Sequence, residues 1–562
     1  MAGWLRERVS AWAAARTVWT LAFATFVTLM TAWSLATPVT APPDEAAHLV
    51  KAAAVVRGEF GGEQRVIEAH HVGVDVEVGF TAVRVPAGYR DLDVTDGVYR
   101  CFRNDDKLSV ACRGTVAASD DTATVITSAG TYGPGYYLLV GWPSLFLTGE
   151  AGLYAMRLLS ALLCAALLAS AVVTVVEGAA RGYSGRVALI GVLTAATPTA
   201  VYLGGVVNPN GPEVAAAVLA WAVVVRLATD QDGLPLLRRR LVRLGAACVL
   251  LASMRALGPL WIALVLAGGL ILARPGRLRQ LARLRPVWVC LGVAAAAGLA
   301  AVAWTMTADT LALPTQTLAQ YTPLTSALKA VFDLLPNYLH QMVAIFGSLN
   351  VAAPELTHVL WWVLTGFLVM FALATGRARE ILVLVALMAG TAFGPLALMA
   401  PKAAHLGLIW QGRYLLALAV GVPVLAAVVT GREWSALPER LRTRLPVLLI
   451  GGWAVAQGGA FVWAALRYAF GRRHQFSGGA LQWQPPVVGW SAALLLLLLS
   501  GFLLVLLAIR TGHPMPGPTS AAGPASGAET GAEAGAEPGA GATVTPSERG
   551  GPAVREQEPS RG

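Results

Sequence analysis

Residues 17–37 read TVWTLAFATFVTLMTAWSLAT, and residues 38–51 that follow read PVTAPPDEAAHLVK. The first stretch carries no charge and is about 20 residues long, enough to cross the hydrocarbon core of a bilayer as a helix. The second sets an acid pair, an imidazole and an amine directly beyond it. Arg6, Arg8 and Arg16 precede the apolar stretch and keep its start on the cytoplasmic side. A cleaved signal peptide has a shorter apolar core and a small-residue cleavage site. Ala36 and Thr37 leave cleavage open, but the length favours a retained first helix.

Outward from this segment the same pattern repeats. Apolar spans are expected near 152–176, 187–207, 213–229, 244–256, 257–273, 287–306, 356–374, 381–400, 414–430, 447–466 and 488–509, making about twelve with the first. Composition agrees. Only 13% of the 562 residues are charged and 56% are hydrophobic, with a mean hydropathy of +0.61. So few charges leave the apolar surface of a soluble enzyme uncovered. A disordered chain and a disulfide-dense secreted scaffold are excluded for the same reason. The fold class is an all-α polytopic membrane protein with a small β-containing extracytoplasmic loop.

The net charge of +10 reports orientation rather than nucleic acid. With twelve spans, seventeen arginines fall in inside loops, among them Arg238, Arg239, Arg240, Arg243 and the cluster from Arg274 to Arg285. Seven basic residues fall outside: Arg255, Lys329, Lys402, Arg413, Arg467, Arg472 and Arg473. Merging 244–273 into one tilted helix would put the five clustered arginines outside, so a break at Arg255–Gly258–Pro259 is expected. Residues 1–16 are then a cytoplasmic N-terminus, 17–510 the membrane domain and 511–562 a disordered cytoplasmic tail rich in Gly, Ala, Pro and Glu.

The loop 38–134 is the largest non-membrane segment and lies outside. His71–Phe80 alternates valine with other residues, the period of a strand. Cys101 and Cys112 suggest a disulfide closing a small β-rich subdomain, while a zinc site would need a further ligand pair. Cys164, Cys248 and Cys290 lie in apolar stretches and read as small buried hydrophobes. Gly135–Leu147 and Leu334–Phe346 look amphipathic and interfacial.

Four groups could carry chemistry. On a helix started by Pro42 and Pro43, Asp44, His48 and Lys51 stand at i, i+4 and i+7 with Glu45 beside them. The simpler alternative is a helix start favoured by the dipole. The order of residues is neither a helicase DEAH box nor H-E-x-x-H, and no phosphate-binding P-loop exists. Tyr132-Gly133-Pro134-Gly135-Tyr136-Tyr137 returns the loop to the membrane, and Arg157 follows near the outer end of the next span. A charge at that depth faces the bundle interior or a cavity. Trp410-Gln411-Gly412-Arg413-Tyr414 places an arginine against the positive-inside bias, either as a snorkelling anchor or as a fork for phosphate oxygens. Arg255 is a similar candidate. The turns Asn208–Glu213 and Phe346–Asn350 are taken as structural, and the histidines show no metal-ligand spacing.

Asp44-Glu45-x-x-His48 after the first span, the Tyr132–Tyr137 return, Arg157 and Gln411-Gly412-Arg413-Tyr414 together resemble the DUF2142 family of bacterial membrane proteins, which is grouped with the GT-C glycosyltransferases. The likeness runs over about residues 15–510 and implies a GT-C-like fold in the bacterial plasma membrane. It implies a donor sugar on a polyprenyl phosphate and a glycan or lipid-linked acceptor of the cell envelope or cell wall. It also implies Asp44 as base with Glu45 as helper or alternative. His48, Lys51, Tyr132, Tyr136, Arg157, Arg255, Gln411, Arg413 and Tyr414 would hold substrate. No cofactor is required, and a single acidic cluster does not demand a divalent metal while leaving room for one. The family often carries an acid after its F-G-x-L; here Asn350 stands instead. A polysaccharide or lipid transporter or polymerase, or an inactive structural subunit, are the alternatives.

Overall fold

The computed structural model describes residues 2–513 apart from 72–73, 96–100, 103–108, 114, 120, 178–182, 231–232, 312–316, 475–480 and 487. Most of the expected tail, 514–562, lies outside the described residues, as does Arg181; of Arg472 and Arg473 only the backbone is described. The first helix, α1 (Ala2–Ala36), buries Val18, Ala22, Phe26, Leu29 and Trp33 at helical spacing on one face. After a turn through Pro38–Pro43, α2 (Glu45–Val55) is buried along its whole length.

The outer loop then forms an antiparallel sheet in the order β1 (Glu63–His71), β2 (Val74–Pro86), β3 (Thr122–Thr127). Glu63 faces Ala82, and Thr81 faces Thr127. The valine alternation therefore falls in a hairpin. Val83, Val85 and Val125 pack with Leu49 and Ala53 of α2 into a small core of their own. Cys101 and Cys112 are joined in a disulfide, but it does not close the sheet. Phe102 and Val110 beside it pack into the main helical core with α1. Tyr89, Leu92 and Val116 of the β2–β3 connection join the small core under the sheet, while Phe102 and Val110 reach the helices.

The remaining helices are α3 (Gly135–Val140), α4 (Gly149–Val176), α5 (Gly185–Ala195), α6 (Pro198–Gly204), α7 (Asn210–Thr229), α8 (Leu234–Met254), α9 (Gly258–Leu272), α10 (Pro275–Ala282) and α11 (Arg285–Thr307). After them come α12 (Leu324–Asp333), α13 (Leu335–Ala344), the hairpin β4 (Ile345–Phe346) and β5 (Val351–Ala352), α14 (Glu355–Thr375) and α15 (Ala378–Leu398). The last are α16 (Ala403–Leu406), α17 (Leu416–Ala419), α18 (Gly421–Glu433), α19 (Glu439–His474) and α20 (Gly489–Thr511).

Among the described residues, nine helical stretches are long and apolar enough to cross a membrane. Three expected spans differ from these. Residues 187–207 are α5 and α6, bent by 71°. Pro198 has no N–H and pushes the residue before it out of the helical region. Residues 244–273 divide into α8 and α9, with Arg255 extended between them (φ −150°, ψ 163°). The first half of α8 holds four arginines, and α9 has only 15 residues. Of the two amphipathic segments, Gly135–Leu147 buries Tyr136, Tyr137 and Val140 while exposing Leu138, Leu139, Trp142 and Phe146. Leu334–Phe346 is mostly α13.

At the centre lies α7, buried from Asn210 to Ala228. Trp221 in its middle donates Nε1 to the Ala417 carbonyl at 3.3 Å. Gly268 of α9 and Gly421 of α18 approach its indole closely; a Cβ at either would come 2.8 Å from a ring atom. Two absent side chains thus let three helices close on one tryptophan.

Candidate functional site

Six pieces of chain converge at one end of the bundle: the end of α1, the start of α2, the Tyr132 loop, the α6–α7 turn, the α8–α9 break and the turn at Gly412–Leu415. Their polar side chains sort into a closed pair and an open one.

The closed pair is Glu45–Arg157. Arg157 donates Nε to Glu45 Oε1 at 2.7 Å and Nη2 to Oε2 at 2.5 Å. Its other N–H groups go to the carbonyls of Ser34 (2.8 Å), Thr37 (2.6 Å) and Pro38 (3.1 Å). All five guanidinium donors are used. Glu45 also accepts from the backbone N–H of Val207 at 3.1 Å and of Thr40 at 3.2 Å. Both side chains have zero exposure. The expected helper role of Glu45 and substrate role of Arg157 find no free hydrogen-bonding group here. Neither has a donor or acceptor to spare, and together they tie α1, α2, α4 and the α6–α7 turn into one frame.

The open pair is Asp44–Arg413. Asp44 does not lie on the helix face with His48 and Lys51, as the spacing suggests. It stands just before α2 in the left-handed region, φ 61°. A residue with a Cβ adopts that conformation at a cost, and Asp tolerates it better than most. From Ala36 to Val55 it is the one exposed residue, with 44% of its side chain open. Arg413 Nη2 donates to Asp44 Oδ2 at 2.5 Å. Arg413 itself is 4% exposed, and its Nε and Nη1 have no hydrogen-bond partner. Leaving buried charged donors unmade is costly, so this guanidinium is a fork awaiting acceptors.

The turn that carries Arg413 is seated by Gly412. Its N–H donates to Gln341 Oε1 at 2.7 Å, and a Cβ there would lie 2.2 Å from the Tyr338 carbonyl. Beside it, Arg255 places its Cζ 4.1 Å from the centre of the Tyr414 ring, while Arg413 stands 5.1 Å from the same ring. Arg255 Nη1 is also held by Asn210 Oδ1 at 2.5 Å. Two guanidiniums thus share one tyrosine face system.

Arg255, Tyr414 and Tyr132 open onto a cavity of about 690 Å³, whose wall includes Trp304, Lys402 and Trp410. Asp44 and Arg413 lie beside this cavity rather than in its wall. Gln411 is extended, and its Oε1 is buried without a partner.

His48 is enclosed. Its Nδ1 lies 2.9 Å from Tyr137 Oη, and its ring meets Tyr132 edge-on at 5.4 Å. Burial pushes its pKa down to about 3; Asp44 opposes the shift and Arg413 and Arg255 add to it. The imidazole is neutral at pH 7. Lys51 donates Nζ to the carbonyls of Phe60 and Gly130, each at 2.5 Å. Burial lowers its pKa to about 8. Tyr136 is fully buried against Ser160, Oη to Oγ 3.1 Å. Lys51 thus ties α2 to the chain at Phe60 and Gly130, Tyr136 ties α3 to α4, and both side chains are buried.

The Asn208–Glu213 turn does more than its sequence suggests. Asn208 Nδ2 donates to the Pro43 carbonyl at 2.8 Å, which supports Asp44 from below. Asn208 Oδ1 accepts from Asn210 Nδ2 at 2.7 Å, and Trp261 Nε1 donates to Glu213 Oε1 at 3.1 Å. The missed signal was three polar side chains opening an otherwise apolar span. Lys402 and Trp304 had no such signal. Asn350 accepts from the Ser348 N–H at 3.2 Å, within the β4–β5 turn. Among the described residues no three His, Cys, Asp or Glu side chains gather as a protein metal cage would require.

Residues 26–422 match the family described as predicted membrane protein (DUF2142). No curated protein matches the chain.

Proposed function

The chain belongs to the DUF2142 family of predicted membrane proteins, and from that premise we propose that it is a membrane glycosyltransferase of the GT-C type. The observation that carries this reading is Asp44: an exposed carboxylate, in a strained backbone conformation, resting on an arginine with two unfilled donors beside a large cavity.

The donor is a sugar on a polyprenyl phosphate and the acceptor a glycan or lipid-linked hydroxyl of the cell envelope. The acceptor oxygen attacks the anomeric carbon and its proton passes to Asp44. The bond from that carbon to the phosphate oxygen breaks, and its electron pair leaves with the lipid phosphate. One displacement inverts the anomeric centre. Arg413 takes the growing phosphate charge on Nε and Nη1, with Arg255 and Lys402 close by. Neutral His48 with Tyr132 and Tyr137 supports Asp44 without competing for its proton. Aromatic Trp304, Trp410 and Tyr414 suit a sugar face and the first isoprene units.

This function asks for twelve spans: the nine long helices, the bent α5–α6 pair, α8 and α9. Both termini are then cytoplasmic and the site is extracytoplasmic, in the plasma membrane. The α5–α6 break speaks for transport, since broken helices line transporter sites. Here, however, the break is sealed by α19: Trp453 Nε1 donates to the Leu193 carbonyl at 2.5 Å and Gln457 Nε2 to the Ala196 carbonyl at 2.9 Å. The deciding experiment incubates the purified protein with a panel of polyprenyl-phosphate sugars and envelope acceptors. Transfer lost in Asp44→Asn supports the assignment; full transfer in that variant removes Asp44 as base.

A further inference from the structure

A second cavity lies at the other end of the bundle. It is formed by α7, α8, α9, α10 and α11 and has a volume of about 280 Å³. Its lining is apolar throughout, including Val224, Leu244, Leu270, Leu281, Ala282 and Trp288. Along α7 it stands roughly 20–27 Å from Asn210, at 1.5 Å per residue. It is thus separate from the Arg255–Arg413 site.

The rim of this cavity is strongly charged. Residues 274–285 hold five arginines, and no acid occurs between Gly258 and Ala308. Arg277 anchors α10 over the cavity by donating Nε to the Leu227 carbonyl at 2.9 Å. Arg274, Arg279, Arg283 and Arg285 are exposed and form no ion pair among the described residues. Trp288 at the mouth is 62% exposed and donates Nε1 to the Ala282 carbonyl at 2.8 Å, the posture of an interfacial tryptophan. Every residue of α10 is at least partly exposed.

An apolar slot beside four exposed guanidiniums, none in an ion pair among the described residues, has the chemistry of one kind of occupant. We propose that this cavity seats an acyl chain of an anionic phospholipid, with its phosphate on the exposed Arg274, Arg279, Arg283 and Arg285. The charge alone would draw such headgroups to the surface, at about 1 kcal/mol per basic residue. The slot adds a fixed place for the chain. The site is independent of the glycosyltransferase reading and stands or falls separately.

The test uses the full chain in detergent micelles, with dioleoyl phosphatidylglycerol and dioleoyl phosphatidylcholine added in equal amounts and retained lipid counted by native mass spectrometry. The wild type should retain phosphatidylglycerol over phosphatidylcholine by at least about tenfold. Arg274→Gln/Arg279→Gln/Arg283→Gln/Arg285→Gln should erase that preference, while the matching Arg→Lys set keeps it. Ala282→Trp, which fills the slot from an exposed position, should release the lipid with all arginines present. Free glycerol phosphate should not displace it. Equal retention of the two lipids by the wild type overturns the proposal. So does Ala282→Trp retaining phosphatidylglycerol unchanged, which would reduce the site to surface charge. If the Gln set does not fold, the Ala282→Trp and Arg→Lys arms still decide.

Discussion

Asp44 and Glu45 are neighbours in the chain, and each faces an arginine, yet the two pairs are built differently. Glu45–Arg157 is dry, bidentate and saturated, with five donors and four acceptor contacts all in use. Asp44–Arg413 is half in the open, joined by one bond, with two guanidinium donors unfilled. A saturated pair can only hold the chain in place, since any new ligand must break something first. An unsaturated one has capacity for a reaction. The frame is built from the first kind and the site from the second.

Breaking the closed pair should have the largest effect. Arg157→Ala leaves Glu45 charged and buried, a loss of about 3–5 kcal/mol; thermal unfolding in detergent should show little folded protein. A variant that melts like the wild type would mean the frame does not depend on this pair. Asp44→Asn should leave the melting point almost unchanged and lower sugar transfer by about a hundredfold or more. The split between stability and activity is the signature, and equal losses in both would merge the two pairs into one structural unit. Arg413→Ala should raise the KM for a polyprenyl-phosphate sugar by about ten- to a hundredfold, with Arg413→Lys recovering only part because it lacks the fork. An unchanged KM would remove the phosphate role.

Two smaller effects sharpen the contrast. The pKa of His48 falls on folding from 6.5 to about 3, so between those values the unfolded chain binds more protons. Stability should therefore drop as pH is lowered from about 6.5 toward 3. His48→Gln should make that decline shallower in unfolding measured across the window; an identical slope would show that other groups set it. Finally, Asp44→Gly relieves the left-handed strain but leaves the buried Arg413 without its carboxylate; thermal unfolding should show it no more stable than Asp44→Asn, which keeps an acceptor oxygen, while transfer is abolished.

Much of the frame was legible from residues. Charge-free stretches gave most of the helices, and the break at Arg255–Gly258 followed from where arginines could stand. The meeting of Asp44, Arg255, Arg413 and Tyr414 was legible only as separate motifs. What periodicity could not supply was which neighbour pairs with which: helical spacing put Asp44 beside His48, but the backbone turns left-handed one residue before the helix begins. Saturation is a three-dimensional count, and spacing does not show that Arg157 bonds Glu45 and three carbonyls, Lys51 two carbonyls and Tyr136 the Ser160 hydroxyl. The α5–α6 bend is written in Thr197-Pro198, a proline inside a stretch whose apolar length alone fits one span. The Asn208–Glu213 turn was underrated because turn residues and site residues share the same alphabet.

The grip of Arg157 on the last turn of α1 has a consequence for how the chain can be processed. Ala36 and Thr37 are 2% and 0% exposed, and the Ser34 and Thr37 carbonyls flank the peptide bond a signal peptidase would cut. A chain severed there would lose Trp33 from the core and one of the three carbonyl ligands of Arg157. The remaining fragment would inherit a buried cation short of a partner. In the folded protein the last turn of the first helix is part of the Arg157 frame, and its removal would dismantle the floor on which Asp44 stands.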